Sequence, residues 1–321
     1  MKQITIFLTL LLLGFCAVNA QTTNVSQEND IFFVSDTQQP LVIEKLLLRK
    51  SHHNKKATAN ILAALLEEKP RNIYMLGDVV GLGYANRKWK KVDIFLDSCR
   101  KQGTTVCGIL GNHEVMARCK KGERNFQKRF PMNVKTGYVS ITDSVAVVLL
   151  NSNFKKLSAE EKLQQQEWYR STMTALDTTT AVKAVIVCCH HAPYTNSKVA
   201  KCSNKVQEYF VKDYISSKKA QLFITGHAHA FEHFKMNGKD FLVIGGGGGL
   251  HQRLKDAGHA PEDLANEYKP MFHYLSVKRE GDRLFVMSHY LKDDFSGINA
   301  GYTFNTGTMV KPESTLAKGA D

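Results

Sequence analysis

The sequence predicts an α/β fold built in layers, and three observations lead there. Short apolar runs recur along the whole chain, stretches with helical spacing lie between several of them, and many of the runs stop at Asp, Asn or His. Strands alternating with helices indicate sheets covered by helices. At 321 residues, with 43% apolar and 23% charged residues, the chain is ordinary globular material with enough length for one large core.

The predicted strands, in order, are "DIFFVSD" (30–36), "NIYMLGD" (72–78), "TTVCGILGN" (104–112), "VAVVLLNS" (145–152), "AVIVCCHH" (184–191), "QLFITGH" (221–227), "DFLVIGG" (240–246) and "RLFVMSHYL" (283–291). Each is short, rich in β-branched or aromatic residues and bounded by polar or glycine-containing sequence. Two helices stand out. "KKATANILAALLEEK" (55–69) carries apolar residues at helical spacing, and "SAEEKLQQQEWYRSTMTALD" (158–177) opens with Ser158 three residues before Glu161, the pattern of a capping box. No internal repeat or low-complexity linker divides the chain. One domain over residues 31–292 follows, with a polar leader at 21–30 before it and residues 293–321 read as a peripheral tail.

The first twenty residues have a different character. Lys2 precedes the apolar run "ITIFLTLLLLGF", and "CAVNAQ" places small residues at Val18 and Ala20 for a cut before Gln21. This is the pattern of a signal peptide at 1–20, so the chain is expected to be exported, to a periplasm or the exterior. The run is too short for a permanent bilayer span, and no stable membrane insertion is expected after cleavage. A lipid anchor at Cys16 is the lesser alternative, because Phe15 is bulky where such signals want a small residue.

Export permits disulfides. Six cysteines follow Cys16, of which Cys188 and Cys189 lie within a strand run; Cys119 and Cys202, in polar sequence, are the candidate pair. The formal net charge of +13 favours anionic partners. The basic residues are scattered rather than gathered in a stripe, so nucleic acid is a possible partner but not the favoured one; oligomeric state is not legible.

Five strand ends carry the chemistry. The apolar runs emerge at Asp36, at Asp78, at Asn112 and His113, at His190 and His191, and at His227 and His229. In open α/β sheets ligands bind outside the carboxyl ends of the strands. Asp, Asn and His together form an oxygen and nitrogen ligand set suited to divalent or trivalent metals. His227 and His229 stand two residues apart after a glycine, a spacing that in extended chain aims both rings to one side.

With these motifs on view, the chain resembles the calcineurin-like metallophosphoesterase superfamily, on its purple-acid-phosphatase-like side. The signature reads "DTQ" at 36–38, "GD" at 77–78, "GNHE" at 111–114, "HAP" at 191–193 and "GHAH" at 226–229, in the family's order. The resemblance spans roughly residues 31–250. It implies a layered β-sandwich of mixed sheets flanked by helices, with the metal site at strand C-terminal ends. It also implies two divalent or mixed-valence metal ions (Fe, Mn or Zn), which hydrolyse phosphomonoesters or phosphodiesters by attack of a metal-bound hydroxide.

Carried over residue by residue, the resemblance makes Asp78 the bridging ligand, with Asp36 and His229 on the first metal. Asn112, His191 and His227 would hold the second. His190 competes with His191, which is preferred as the residue two before Pro193. His113 becomes the general acid or a cationic stabiliser, and Glu114 orients a ligand. Two departures stand against the family pattern. Gln38 replaces the usual histidine two residues after the first Asp, so it is a metal or pocket residue in question. Gly81 stands where purple acid phosphatases have tyrosine, and Tyr84 has the wrong spacing.

The remaining features have plainer readings. "GGGGG" at 245–249 lacks the Lys-Ser/Thr of a P-loop and reads as a flexible loop near the metal edge. His251 and His273 read as surface or core residues, His52 and His53 as a solvated face, and Phe231 as core. The leading expectation is a metal-dependent phosphoesterase acting on a small anionic substrate. A nucleotide or nucleic-acid phosphodiesterase and a catalytically silent metal-binding protein are the alternatives.

Overall fold

The structure, a computed structural model, describes residues 30–41, 44, 46, 53–255 and 261–307. The signal peptide, Cys16, nearly all of the polar leader and His52 lie outside the described residues. Among the described residues, twelve strands form two six-stranded sheets. The first sheet has the order β12-β11-β10-β1-β2-β3 and is built from β1 (Ile31–Val34), β2 (Asn72–Met75), β3 (Thr105–Gly108), β10 (His273–Glu280), β11 (Arg283–Leu291) and β12 (Ile298–Asn305). The second runs β4-β5-β6-β7-β9-β8, from β4 (Tyr138–Thr142), β5 (Val145–Leu149), β6 (Ala184–Cys188), β7 (Ala220–Thr225), β8 (Phe231–Met236) and β9 (Lys239–Ile244). Both are mixed. β1, β2 and β3 are parallel and β10, β11 and β12 antiparallel; β5, β6, β7 and β9 are parallel, with antiparallel β4 and β8 at the edges.

Continuous apolar runs form the central strands because both faces of each are covered. Along β6, Ala184, Ile186 and Cys188 enter the core between the sheets, while Val185 and Val187 face the outer helices, followed on that side by Cys189. Along β1, Ile31 and Phe33 point inward and Phe32 and Val34 outward to the helices Asn54–Glu67 and Asn86–Gln102. Burying each such aliphatic or aromatic side chain contributes about 1.5–3 kcal/mol. The helix Ala159–Thr178 covers the second sheet, and its capping box forms as expected: Glu161 N donates to Ser158 Oγ (3.1 Å) and Ser158 N to Glu161 Oε2 (2.8 Å).

Three sequence expectations change. Residues 298–305 are not a peripheral tail; they form β12, paired along β11, with Phe304 and Tyr302 packed on the inter-sheet core. Cys119 and Cys202 are not bridged, and all six cysteines of the described residues are thiols. Cys119 Sγ donates to Glu123 Oε1 and Cys202 Sγ to the Thr195 carbonyl. The glycine run is also not a loose loop, for reasons that belong to the site. Phe231 and His273 are core residues, the His273 ring lying edge-on to Phe231 at 5.3 Å. No helix among the described residues is long and apolar enough to cross a membrane.

Candidate metal centre

The loops after β1, β2 and β3 and those after β6 and β7 meet at one edge of the sandwich. Asp36 N donates to the Gly77 carbonyl and Gln38 N to the Asp78 carbonyl, each at 3.0 Å, which ties the first two loops. Gly226 N donates to the His190 carbonyl at 3.0 Å. Across the two sheets, His227 N donates to Asp36 Oδ2 at 2.9 Å. Asp36, Asp78 and His227 all have left-handed backbone, with φ of 59°, 49° and 67°. Such conformations cost non-glycine residues energy and persist where the surroundings hold them. Here the inter-loop hydrogen bonds do so.

Glu114 is the buried clamp of this edge. Its Oε2 accepts from Asp78 N and Gly111 N, both at 2.8 Å, and its Oε1 from Val80 N at 3.2 Å. Asp78 Oδ1 accepts from His113 N at 2.7 Å, leaving Oδ2 directed at the imidazoles.

Three of those imidazoles share one arrangement. His113 Nδ1 lies 2.9 Å from the Gly81 carbonyl, His190 Nδ1 2.9 Å from the Leu76 carbonyl, and His229 Nδ1 2.7 Å from the Leu250 carbonyl. A carbonyl only accepts, so each Nδ1 must be the protonated nitrogen and each ring turns Nε2 to the centre. Outer partners of this kind orient metal-binding histidines.

The facing atoms fall into two groups. His190 Nε2 lies 3.2 Å from both Asp78 Oδ2 and Asn112 Oδ1. Asp78, His190 and His227 each offer a ligand atom within 4.8 Å of the others. On the other side, Asp36 Oδ1 lies 3.3 Å from His229 Nε2. The Gln38 amide, its nitrogen donating to the Asp78 and Asp36 carbonyls (2.7 and 3.0 Å), turns its oxygen to His229 Nε2 at 3.2 Å. Asp36 Oδ1 is buried without a hydrogen-bond donor. Carboxylate, amide and imidazole lone pairs that converge this way need a cation among them, and the donor set fits a metal ion.

The electrostatics agree. Burial works against charge on His190, but Asp78 outweighs it and raises the pKa to about 10. Burial likewise opposes the charge on Asp78, and His190 outweighs it, holding the carboxyl well below its usual range. Burial opposes a proton on His229, yet the Asp36 carboxylate beside it raises the pKa. For His227, burial and then the nearby His190 outweigh the pull of Asp78 and Asp36 and lower the pKa to about 4. Burial and then the Asp78 charge push Glu114 up to about 7.

The sequence profile described as calcineurin-like phosphoesterase matches residues 30–231. The chain belongs to this family. Among solved structures of similar fold is a purple acid phosphatase, PPD1, from yellow lupin (Lupinus luteus) seeds, with TM-score 0.63 and 14% identity over 86% of this chain. This chain covers 53%, about half, of the lupin protein. GAP50 of Plasmodium, titled the anchor in the inner membrane complex, has TM-score 0.66 and 13% identity over 90% of each chain. PhoD has TM-score 0.56 and 11% identity over 89% of this chain and 70% of its own. No curated protein matches the chain.

The structure of this calcineurin-like phosphoesterase brings Asp36, Gln38, Asp78, Asn112, His113, Glu114, His190, His227 and His229 together and corrects one choice. His190, not His191, lies against Asp78 and Asn112. His190 continues the inward alternation Ala184, Ile186, Cys188, whereas His191 falls on the Cys189 side. There its Nδ1 meets Ser152 Oγ at 2.8 Å. Ser152 was legible in principle, because β5 ends in "NS" with the same switch from apolar to polar as the other five strand ends.

The glycine run packs directly beneath the site. Gly247 N donates to the Ser35 carbonyl and Gly249 N to the Asp36 carbonyl, each at 2.9 Å. A Cβ on Gly249 would stand 2.5–2.8 Å from the His229 ring. The run is glycine because backbone must approach backbone and imidazole this closely.

Proposed function

We propose that this family member is a metal-dependent phosphoesterase that hydrolyses phosphomonoesters or phosphodiesters at a two-metal centre, after export directed by residues 1–20. The observation that carries the proposal is the convergence of Asp36 Oδ1, Gln38 Oε1 and His229 Nε2 beside that of Asp78 Oδ2, Asn112 Oδ1 and His190 Nε2. Asp36, His229 and Gln38 would hold one metal, Asn112, His190 and His227 the other, and Asp78 would bridge them. Iron, manganese and zinc all suit this donor set. Metal ions bound there would act as Lewis acids on a phosphoryl oxygen and activate water near neutral pH.

The chain's own residues supply the rest. His113, fixed through Nδ1 to the Gly81 carbonyl, presents Nε2 3.8 Å from Asp78 Oδ2, where it would serve the departing oxygen as general acid. Glu114 keeps the Asp78 and Gly111 backbone in register. The basic net charge of the chain favours anionic substrates in general.

A panel of phosphomonoesters, phosphodiesters and nucleotides, assayed with iron, manganese and zinc, tests the reading. Turnover that depends on added metal supports it. Metal-replete protein inert on every ester class would leave the silent metal-binding alternative standing. A diester preference that falls steeply with salt would favour a nucleic-acid substrate instead.

A further inference from the structure

We propose that His191 contacts the substrate, donating a hydrogen bond from Nε2–H to a phosphoryl oxygen, and that Ser152 fixes the tautomer that makes this possible. The inference rests on the phosphoesterase reading above. His191 differs from the three centre-facing imidazoles in the partner of its Nδ1. Theirs are carbonyl oxygens, which force the proton onto Nδ1. His191 Nδ1 instead meets a hydroxyl, Ser152 Oγ, at 2.8 Å, and that same oxygen accepts from His191 N at 3.0 Å. Ser152 is buried. In the proposed arrangement the hydroxyl, whose oxygen already accepts the amide, donates its own proton to Nδ1. Nδ1 is then the acceptor, and the ring proton sits on Nε2, the nitrogen turned away from Ser152.

An imidazole carrying its proton on Nε2 offers a donor there rather than a metal-binding lone pair. Its position suits a donor. The ring lies 4.6 Å from the His227 ring and 5.0 Å from the His190 ring, so it borders the centre and is partly exposed, while His190 is fully buried. Lys155 adds positive charge nearby. A nitrogen that carries its proton outward recognises an anion. The same geometry explains why "HH" ends this strand: the inward histidine faces the carboxylate and the outward one faces the ligand.

The test uses the full chain loaded with zinc, with inorganic phosphate as probe. His191→Ala should keep the wild-type metal content and weaken phosphate binding, read by calorimetry, on the order of 10-fold or more, the scale of a hydrogen bond to a charged group. His190→Ala, by contrast, should lose metal. Long-range 1H–15N correlation of the wild type should show His191 protonated on Nε2, and Ser152→Ala should mix its tautomers without removing metal. Metal loss in His191→Ala equal to that in His190→Ala would overturn the proposal, as would an Nδ1–H tautomer. Unchanged phosphate affinity in His191→Ala, with a wild type that binds phosphate, would overturn it alone. A wild type that binds zinc but no phosphate would overturn the phosphoesterase reading and this proposal together.

Discussion

The Glu114 carboxylate accepts the backbone amide of Asp78 at 2.8 Å, so the residue that follows the "GNH" turn after β3 physically holds the loop after the neighbouring strand β2. Glu114→Ala would leave the Asp78, Gly111 and Val80 amides buried without that acceptor, each at about 1–3 kcal/mol. Metal affinity should fall about 10–100-fold, the usual effect of losing an outer partner. Metal titration of the purified variant checks this. Wild-type affinity would show that the backbone holds its shape without the clamp.

His113 and His227 should separate chemistry from metal binding. His113→Ala is expected to retain metal while turnover drops by roughly 100-fold or more, the scale of a lost general acid. His227→Ala, which removes a member of the Asp78–His190–His227 cluster, should lose metal and turnover together. Equal metal loss in both variants would contradict this division.

Gln38 should set the lability of one site. Its oxygen faces His229 Nε2 beside Asp36, but an amide binds first-row metals less well than an imidazole. The metal on the Asp36 side should therefore leave first during dialysis against a mild chelator. Gln38→His should slow that loss. If Gln38→His and Gln38→Ala both lose metal at the wild-type rate, the side chain is not a ligand.

Glu232 should give the protein a measurable pH dependence of stability. Its buried carboxylate accepts from Thr195 Oγ1 and, at 2.7 Å, from Asn196 N. Burial, despite those bonds, raises its pKa from 4.5 to about 7, with Asp263 adding to the rise and Lys269 opposing it. The folded state therefore holds a proton that the unfolded state has released between about pH 4.5 and 7. Across that window this group lowers stability as pH rises, by up to about 1.4 kcal/mol per pH unit. Urea denaturation of wild type and Glu232→Gln should show the variant's stability falling less steeply over the same range. Identical slopes would contradict the assignment.

Much of this was legible before any coordinates. The central strands announced themselves because burial on both faces demands unbroken apolar runs, and the Ser158–Glu161 cap because its hydrogen bonds are local. The metal-edge residues were legible because a polar residue closing a buried strand is conspicuous. Four strands were not. β4 and β12 are edge strands with half-exposed residues, β8 carries Glu232, His233 and Lys235 on one short segment, and β10 mixes Ser276 with charges at its end, so none reads as a clean run. His190 was misjudged for a related reason. A run apolar on both faces does not say which face looks inward, so period two leaves the choice between His190 and His191 to tertiary structure. The burial of the five glycines was hidden similarly, since close backbone approach leaves no trace in composition.

The central claim is that this edge holds two metal ions. Elemental analysis of protein loaded with iron, manganese or zinc, then desalted to remove loosely held ions, measures it most directly. The account predicts close to two metal ions per chain, with the Asp36 side emptying first under mild chelation. Metal at well below one ion per chain under every loading condition would contradict it.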